Sequence, residues 1–389
     1  MARDHPRSGA AKQAGLREVL LEWGRIGVTG FGGPPTHISL LRRLLVDRKQ
    51  WLGAAEFEDA VAACNLLPGP ASTQLAVLGA WRVAGPAGAL VGGVAFIAPG
   101  LVMILALAAL FLGPSPPDWV LGAGAGAGAA VAAIAVRSGV DLLPASWART
   151  RARVRWCVYA AIGGAAAATV GPWLVLVLLA CGAVELVAQR AARGDGVRSI
   201  AWPAAVAAAT AATGGTLALV WVALKVGALS YGGGFVIIPL MQADAVNHYH
   251  WMTNAQFLDA VALGQVTPGP VVHTVAVVGY AADGLAGGCL AAVVAFAPSF
   301  LFVLAGARHF AALRANADAR AFLEGAGPAA IGAIIGVAIP LALALGEPWQ
   351  YGVLALAGLA LLLRQSVVLT LVGAAAIGVV ATQLGAPLP

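Results

Sequence analysis

Two pairs of ionisable residues occupy matching places in this chain, each embedded in apolar sequence. Arg25 and Lys225 stand two residues before Gly27 and Gly227, and Asp59 and Asp259 stand nine residues before the triplets Pro68-Gly69-Pro70 and Pro268-Gly269-Pro270. A charge inside an apolar span costs at least about 2.5 kcal/mol, so it faces a cavity or a partner. One cation on each side of a site suits a small dianion, and the carboxylates can pair with those cations or take and release a proton. Plainer readings stand beside these. Glu22 lies one turn from Arg25 and can bridge it, Lys225 can snorkel, and an aspartate near a helix start is stabilised there without any function.

The Pro-Gly-Pro triplets carry chemistry of their own. Two prolines remove two backbone donors and clash with the preceding turn, so a helix must break there. Where it resumes, at Ala71 and Val271, free N–H groups and the positive helix end make an anion site. Gly32, Gly33, Gly232 and Gly233 form the glycine clusters GFGGPP and SYGGGF, which mark a second break in each half. Asn65 and Gln265 flank the breaks, as do Ser72, Gln74, Thr267 and His273, and all can hydrogen-bond oxyanion oxygens. Each taken alone is more often a packing residue. His37 and His273 have no Cys, Asp or Glu at ligand spacing, so no metal and no cofactor are expected.

The elements that position these residues belong in a bilayer. Of 389 residues 60% are hydrophobic and only 10% charged, with a mean hydropathy of +0.86, far from the composition of a soluble domain. At roughly 20 residues per span the chain has room for about a dozen. Fifty glycines are tolerated in membrane helices, where small residues allow close packing. The ridge Gly122, Gly124, Gly126 and Gly128 is read as such packing, since no strand precedes it to make a phosphate loop. Cys64, Cys157, Cys181 and Cys289 form no CxxC pair and are read as small packing residues. The net charge of +6 comes from basic residues scattered through short loops, with no stripe for nucleic acid. Residues 1–15 are polar and lack the apolar core and cleavage site of a signal peptide.

Laid on itself with a shift of 200, the chain repeats. Trp51, Phe57, Asp59 and Gly79 fall on Trp251, Phe257, Asp259 and Gly279, and about a third of positions 25 to 79 are identical without a gap. This predicts an all-α polytopic membrane protein of two homologous halves with re-entrant helices at Pro-Gly-Pro. The division is a polar segment 1–15, a first repeat 16–190, a linker 191–203 and a second repeat 204–389. Further apolar runs lie at about 86–113, 119–141, 155–170 and 172–188, and at about 285–307, 321–345, 348–363 and 366–384.

Basic residues set the orientation. Arg42, Arg43, Arg48 and Lys49 have no Lys or Arg counterpart in 234–256, so equivalent loops are expected to face opposite sides. If each Pro-Gly-Pro element returns to its own side, these four join Arg82, Arg137, Arg149, Arg151, Arg153, Arg155, Arg190, Arg193, Arg198, Arg308, Arg314, Arg320 and Arg364 inside. Loops 114–118, 171–172, 283–284 and 346–349 and the tail after 384 then hold none, 17 against zero. The start of the first half fits less well. Strict inversion puts the amino terminus outside, whereas Arg3, Arg7, Lys12 and Arg17 favour inside, so 16–31 is read as a tilted, interfacial or partial span of open orientation. Inverted repeats with broken helices characterise secondary transporters.

The GFGGP and YGGG clusters, the tryptophan before each second helix, the F-x-D of Phe57–Asp59 and Phe257–Asp259, and the two PGP triplets together resemble the chromate ion transporter family in its two-domain form. The resemblance covers roughly residues 17–385. It implies a multi-pass protein of the bacterial inner membrane that exports chromate and confers resistance, with substrate contacts at the breaks. Sulfate is a similar tetrahedral dianion, so a sulfate or other oxyanion carrier is the alternative, and a polytopic membrane enzyme the alternative of another class. Expected partners are the anion and the lipid bilayer, with a homodimer left open.

Overall fold

A computed structural model describes residues 14–65, 67, 69–150, 152–170, 173–193, 214–230, 236–306 and 316–389. Among the described residues the regular structure is helical throughout. Five helices among the described residues are long and apolar enough to cross a bilayer. Val94, Val102, Val293 and Leu301 stand exposed along such helices, and Leu369 and Val380 along the shorter apolar helix Val367–Gln383, an apolar exterior suited to lipid.

The first half opens with α1 (Leu16–Thr29), a break at 30–33, and α2 (Pro34–Arg42), which runs into a π turn, Arg43–Arg48. Gly32 and Gly33 take φ of +97° and +74°, a backbone that a side chain would strain. The chain then doubles back. Lys49 reaches Glu18 (2.5 Å) and Glu22 (3.6 Å) in the first half of α1, Arg48 pairs with Glu22, and Trp51 stacks on Trp23 in the middle of the same helix. The opening segment is therefore a re-entrant hairpin and not a tilted span. Its start lies on the same face as Arg48 and Lys49. Glu22 bridges these residues and not Arg25.

The second hairpin pairs α3 (Ala54–Cys64) with the first part of α4 (Ala71–Phe111) across the Pro-Gly-Pro. Arg82 pairs with Glu56, so the chain returns to the face it entered from. At Ala84–Gly85 (Gly85 φ +66°) α4 reverses into a long crossing arm. A Cβ on Gly88 would lie 2.6 Å from the Ala80 carbonyl oxygen, a proximity impossible in a straight helix eight residues on. Three helices follow, α5 (Asp118–Arg149), α6 (Arg153–Thr169) and α7 (Leu174–Arg193), of which α5 and α7 are long and apolar enough to cross.

The second half repeats this plan with α8 (Gly215–Leu229), α9 (Ile237–Gln242) and its π turn Ala243–His248, α10 (Asn254–Val266) and α11 (Thr274–Gly306), which reverses at Asp283–Gly284. It ends with α12 (Ala317–Gly336), α13 (Ala338–Leu343), α14 (Pro348–Leu362) and α15 (Val367–Gln383). The repeat extends to fine detail. Gln50 and His250 both have φ of +52°, and the Trp51 and Trp251 amides both donate across 2.8 Å to Leu45 and Ala245. The Thr253–Gln256 capping box is present and puts Asp259 in the second turn of α10.

The halves exchange partners. α5 packs on α14 and α15 of the second half, and α12 packs on α6 and α7 of the first. Small residues make these seams: Gly126 and Gly122 meet Gly378, Gly163 meets Ala329, and Gly332 meets Ala160. Arg155–Glu185 (3.0 Å) and Arg190–Asp318 (2.5 Å) gather basic helix ends on one face. Cys64 and Cys181 pack inside, but Cys157 and Cys289 are exposed, so only the first two fill packing positions.

Candidate functional site

The two Pro-Gly-Pro breaks cross into opposite halves. In the second, the Gly269 N–H donates to the Gly30 carbonyl at the end of α1 (2.9 Å), and the Pro268 carbonyl lies against Gly100 of α4. In the first, a Cβ on Gly69 would lie 3.3 Å from the Gly227 carbonyl of α8 and 3.4 Å from Ser299 Oγ of α11. Gly69 and Gly269 have φ of +110° and +99°, the left-handed region that glycine alone enters freely. Four interrupted helices thus meet in one place. After the first break α4 restarts directly at Ala71; after the second a 3-10 turn, Val271–His273, precedes α11.

Buried polar side chains concentrate at this crossing. Thr73, Ser230, His37, His273 and Ser299 have no exposed surface, and Gln74 is equally buried. Thr73 Oγ1, Ser230 Oγ, Ser299 Oγ, Gln265 Nε2, His37 Nδ1 and both ring nitrogens of His273 make no hydrogen bond. A buried polar atom without a partner costs about 1–3 kcal/mol, and native proteins contain few. So many beside broken helices mark a place built for a polar ligand.

His37 and His273 arrive there from non-equivalent positions: repeat partners of His37 and Thr73 are Ile237 and His273. Yet the rings rest edge-on against equivalent phenylalanines, Phe96 (5.1 Å) and Phe296 (5.2 Å). His37 Nε2 lies 2.8 Å from the Gly30 carbonyl, the same oxygen that Gly269 engages. The repeat, which aligns like with like, hid this convergence.

The matched charges are placed differently. Arg25 lies on the exposed face of α1 and makes no ion pair among the described residues. Lys225 is held by Asp244 (2.5 Å) from the π turn and lies over the Trp221 ring (5.6 Å). Asp244 stands where the first half has Leu44, an acidic residue in an apolar position, and that contrast was the available signal for the partner. Asn65 caps α3 and is exposed; Gln265 is half-buried, and Ala71 and Val271 begin the resumed helices. Pro68, Gly232 and Gly233 lie outside the described residues.

Asp59 and Asp259 occupy unlike surroundings. Asp259 is half-buried against α5, where a Cβ on Gly124 would lie 2.6 Å from its Oδ1. The glycine ridge therefore has two faces: Gly122 and Gly126 receive α15, Gly124 and Gly128 receive α10. Asp259 also lines a cavity of about 260 Å³ with Thr253, Gln256, Ala125, Gln350 and Pro389, at the end away from the basic face. Asp59 is exposed, as are Ala55, Glu58 and Ala62 on its stripe of α3, whereas Ala255, Leu258 and Ala262 on the equivalent stripe of α10 are covered or half-covered. Among the described residues no three His, Cys, Asp or Glu side chains converge as metal ligands.

The family model described as chromate transporter matches residues 17–186 and 217–379, one stretch in each half. The chain is 34% identical over 383 residues to the chromate transport protein of Cupriavidus metallidurans, covering 95% of this chain and 94% of that protein. It is 31% identical to the chromate transport protein of Pseudomonas aeruginosa (82% and 79% covered) and 29% identical to a probable chromate transport protein of Synechococcus elongatus (84% of each). No solved structure matches the chain. With inverted halves, crossed helix breaks and a family match over both, this chain is a membrane transporter of the chromate transporter family.

Proposed function

We propose that the chain exports chromate from the cytoplasm across the bacterial inner membrane, and so confers chromate resistance, by passing the dianion through the crossing of the two Pro-Gly-Pro breaks. The observation that carries this reading is the set of buried, unpartnered polar groups there: Thr73, Ser230, Ser299 and Gln265 beside two resumed helix starts. Hydroxyl and amide donors with a positive helix end suit a tetrahedral oxyanion. The names of the relatives support chromate as that anion. An inside-negative potential favours export, at about 2.3 kcal/mol per charge per 100 mV.

The repeats 16–190 and 204–389, joined by 191–203, serve as the two halves that frame the path. Asp59 and Asp259 are assigned a coupling or structural role, one carboxylate in each half. Labelled chromate flux in everted vesicles tests the reading, with sulfate as competitor. Chromate accumulation that depends on the protein is expected; sulfate accumulation without chromate would make the chain a sulfate carrier.

A further inference from the structure

We propose that His37 and His273 form a proton-binding site that fills and empties together with the anion. The Gly30 carbonyl only accepts, so His37 Nε2, 2.8 Å from it, carries hydrogen and Nδ1 carries the lone pair. That Nδ1 has no partner. His273 is wholly buried with both nitrogens unpartnered; the Ile97 carbonyl lies beside the ring without meeting hydrogen-bond geometry. A Cβ on Gly269 would lie 2.8 Å from His273 Cε1, so the break that donates to Gly30 touches both histidine environments.

The groups that face these rings are Gly30 of α1, Phe96, Ile97 and Gly100 of α4, Phe296 of α11, and Pro268 and Gly269 of the break. Among these only the two histidines themselves ionise. An apolar ring would pack as well without stranding nitrogens. Imidazole here is suited to gain a proton when a dianion arrives and to lose it when the dianion leaves, and the coupling is reciprocal. This rests on the oxyanion reading above.

Calorimetric titration of the purified protein with chromate tests it, above neutral pH and in buffers of different ionisation heat. Uptake of about one proton per anion is expected, with affinity rising about tenfold per unit fall in pH. His37→Gln keeps a donor to Gly30 and removes the titrating nitrogen; combined with His273→Gln it should abolish the uptake while the protein still melts as one folded species. Binding without proton uptake, or uptake unchanged in the double variant, overturns the proposal and leaves the oxyanion reading standing. No chromate binding by the wild type overturns both.

The unlike surroundings of Asp59 and Asp259 carry a second, independent inference. We infer that α3 and α10 dock in turn, α10 on α5 in the state seen here and α3 on α12 in the opposite one, so that the path opens first to one face and then to the other. The halves are equivalent in sequence, so what one re-entrant helix does the other can do in mirror fashion. A Cβ on Gly128 would lie 3.0 Å from Leu258 Cβ, so a separation of about 0.5 Å between α5 and α10 brings the pair into the range of a disulfide. In a background without Cys157 and Cys289, the pair Gly128→Cys with Leu258→Cys should transport when reduced, stop when oxidised, and recover with reductant. Full transport by the oxidised pair overturns the inference. Should Gly128→Cys disturb α5, Ala62→Cys and Ala262→Cys give a second reading with an impermeant thiol reagent. Conditions that protect one should expose the other; joint reactivity or joint protection throughout overturns it.

Discussion

Arg82 and Glu56 form an ion pair across the first Pro-Gly-Pro hairpin, 26 residues apart in sequence and side by side in space. The pair fixes the direction of the chain: α3 descends from the basic face and the next segment climbs back to it. Cysteines placed one at a time at 56 and 82 should both react with an impermeant reagent from the cytoplasmic side. Reaction from opposite sides would mean that the Pro-Gly-Pro element crosses. As the pair is partly exposed, Arg82→Ala should lower stability by no more than about 1 kcal/mol, and the charge-reversed pair should recover it in thermal melts.

Lys225 and Asp244 form a better buried pair, with side chains 20% and 9% exposed. Removing one partner strands the other, so Lys225→Ala should destabilise by roughly 3 kcal/mol, measured as a shift in thermal unfolding. Lys225→Met with Asp244→Leu, which copies Leu44 of the first half, should fold and still move chromate. A stable but inactive double variant would show that the cation serves the anion directly.

Close helix contacts set which glycines tolerate change. A Cβ on Gly227 would collide with the Ala295 carbonyl, so Gly227→Val should cost at least about 2 kcal/mol and reduce the yield of folded protein. Gly352, on α14, has nothing within 4 Å, and Gly352→Ala should be neutral or stabilise by up to about 1 kcal/mol. Similar melting of the two variants would contradict this packing.

Gly124→Ala places a methyl group against the Asp259 carboxylate, where α10 rests on α5. This variant should label faster than wild type at a reporter cysteine at 262 and transport more slowly. Unchanged labelling would mean that the Asp259–Gly124 contact does not hold α10 in place.

The re-entrant hairpins were legible because Pro-Gly-Pro has a fixed physical consequence and because Arg82 sits where only a returning chain puts it. The expectation of inverted orientation came from Arg42 to Lys49 set against a repeat stretch with no Lys or Arg. Partner exchange between α5 and α15 was not, since Gly126 and Gly378 look like any other small residues in apolar helices. Lys225 hid its partner because Asp244 comes from a different element, beyond one-turn spacing. His273 was legible as a polar residue beside the second break, but its convergence with His37 was not, because the repeat places each opposite an unrelated residue and only the crossing brings them to the same breaks.

Ser299 gives the most direct test of the crossing as the anion path. Its hydroxyl is wholly buried and unpartnered, so Ser299→Ala should leave folding intact or raise stability by about 1 kcal/mol. Chromate flux in proteoliposomes should nonetheless fall about tenfold, the worth of one hydrogen bond to a charged ligand. Loss of flux with unchanged or improved stability is the predicted result; flux equal to wild type would contradict passage of the anion through the crossing of the two breaks.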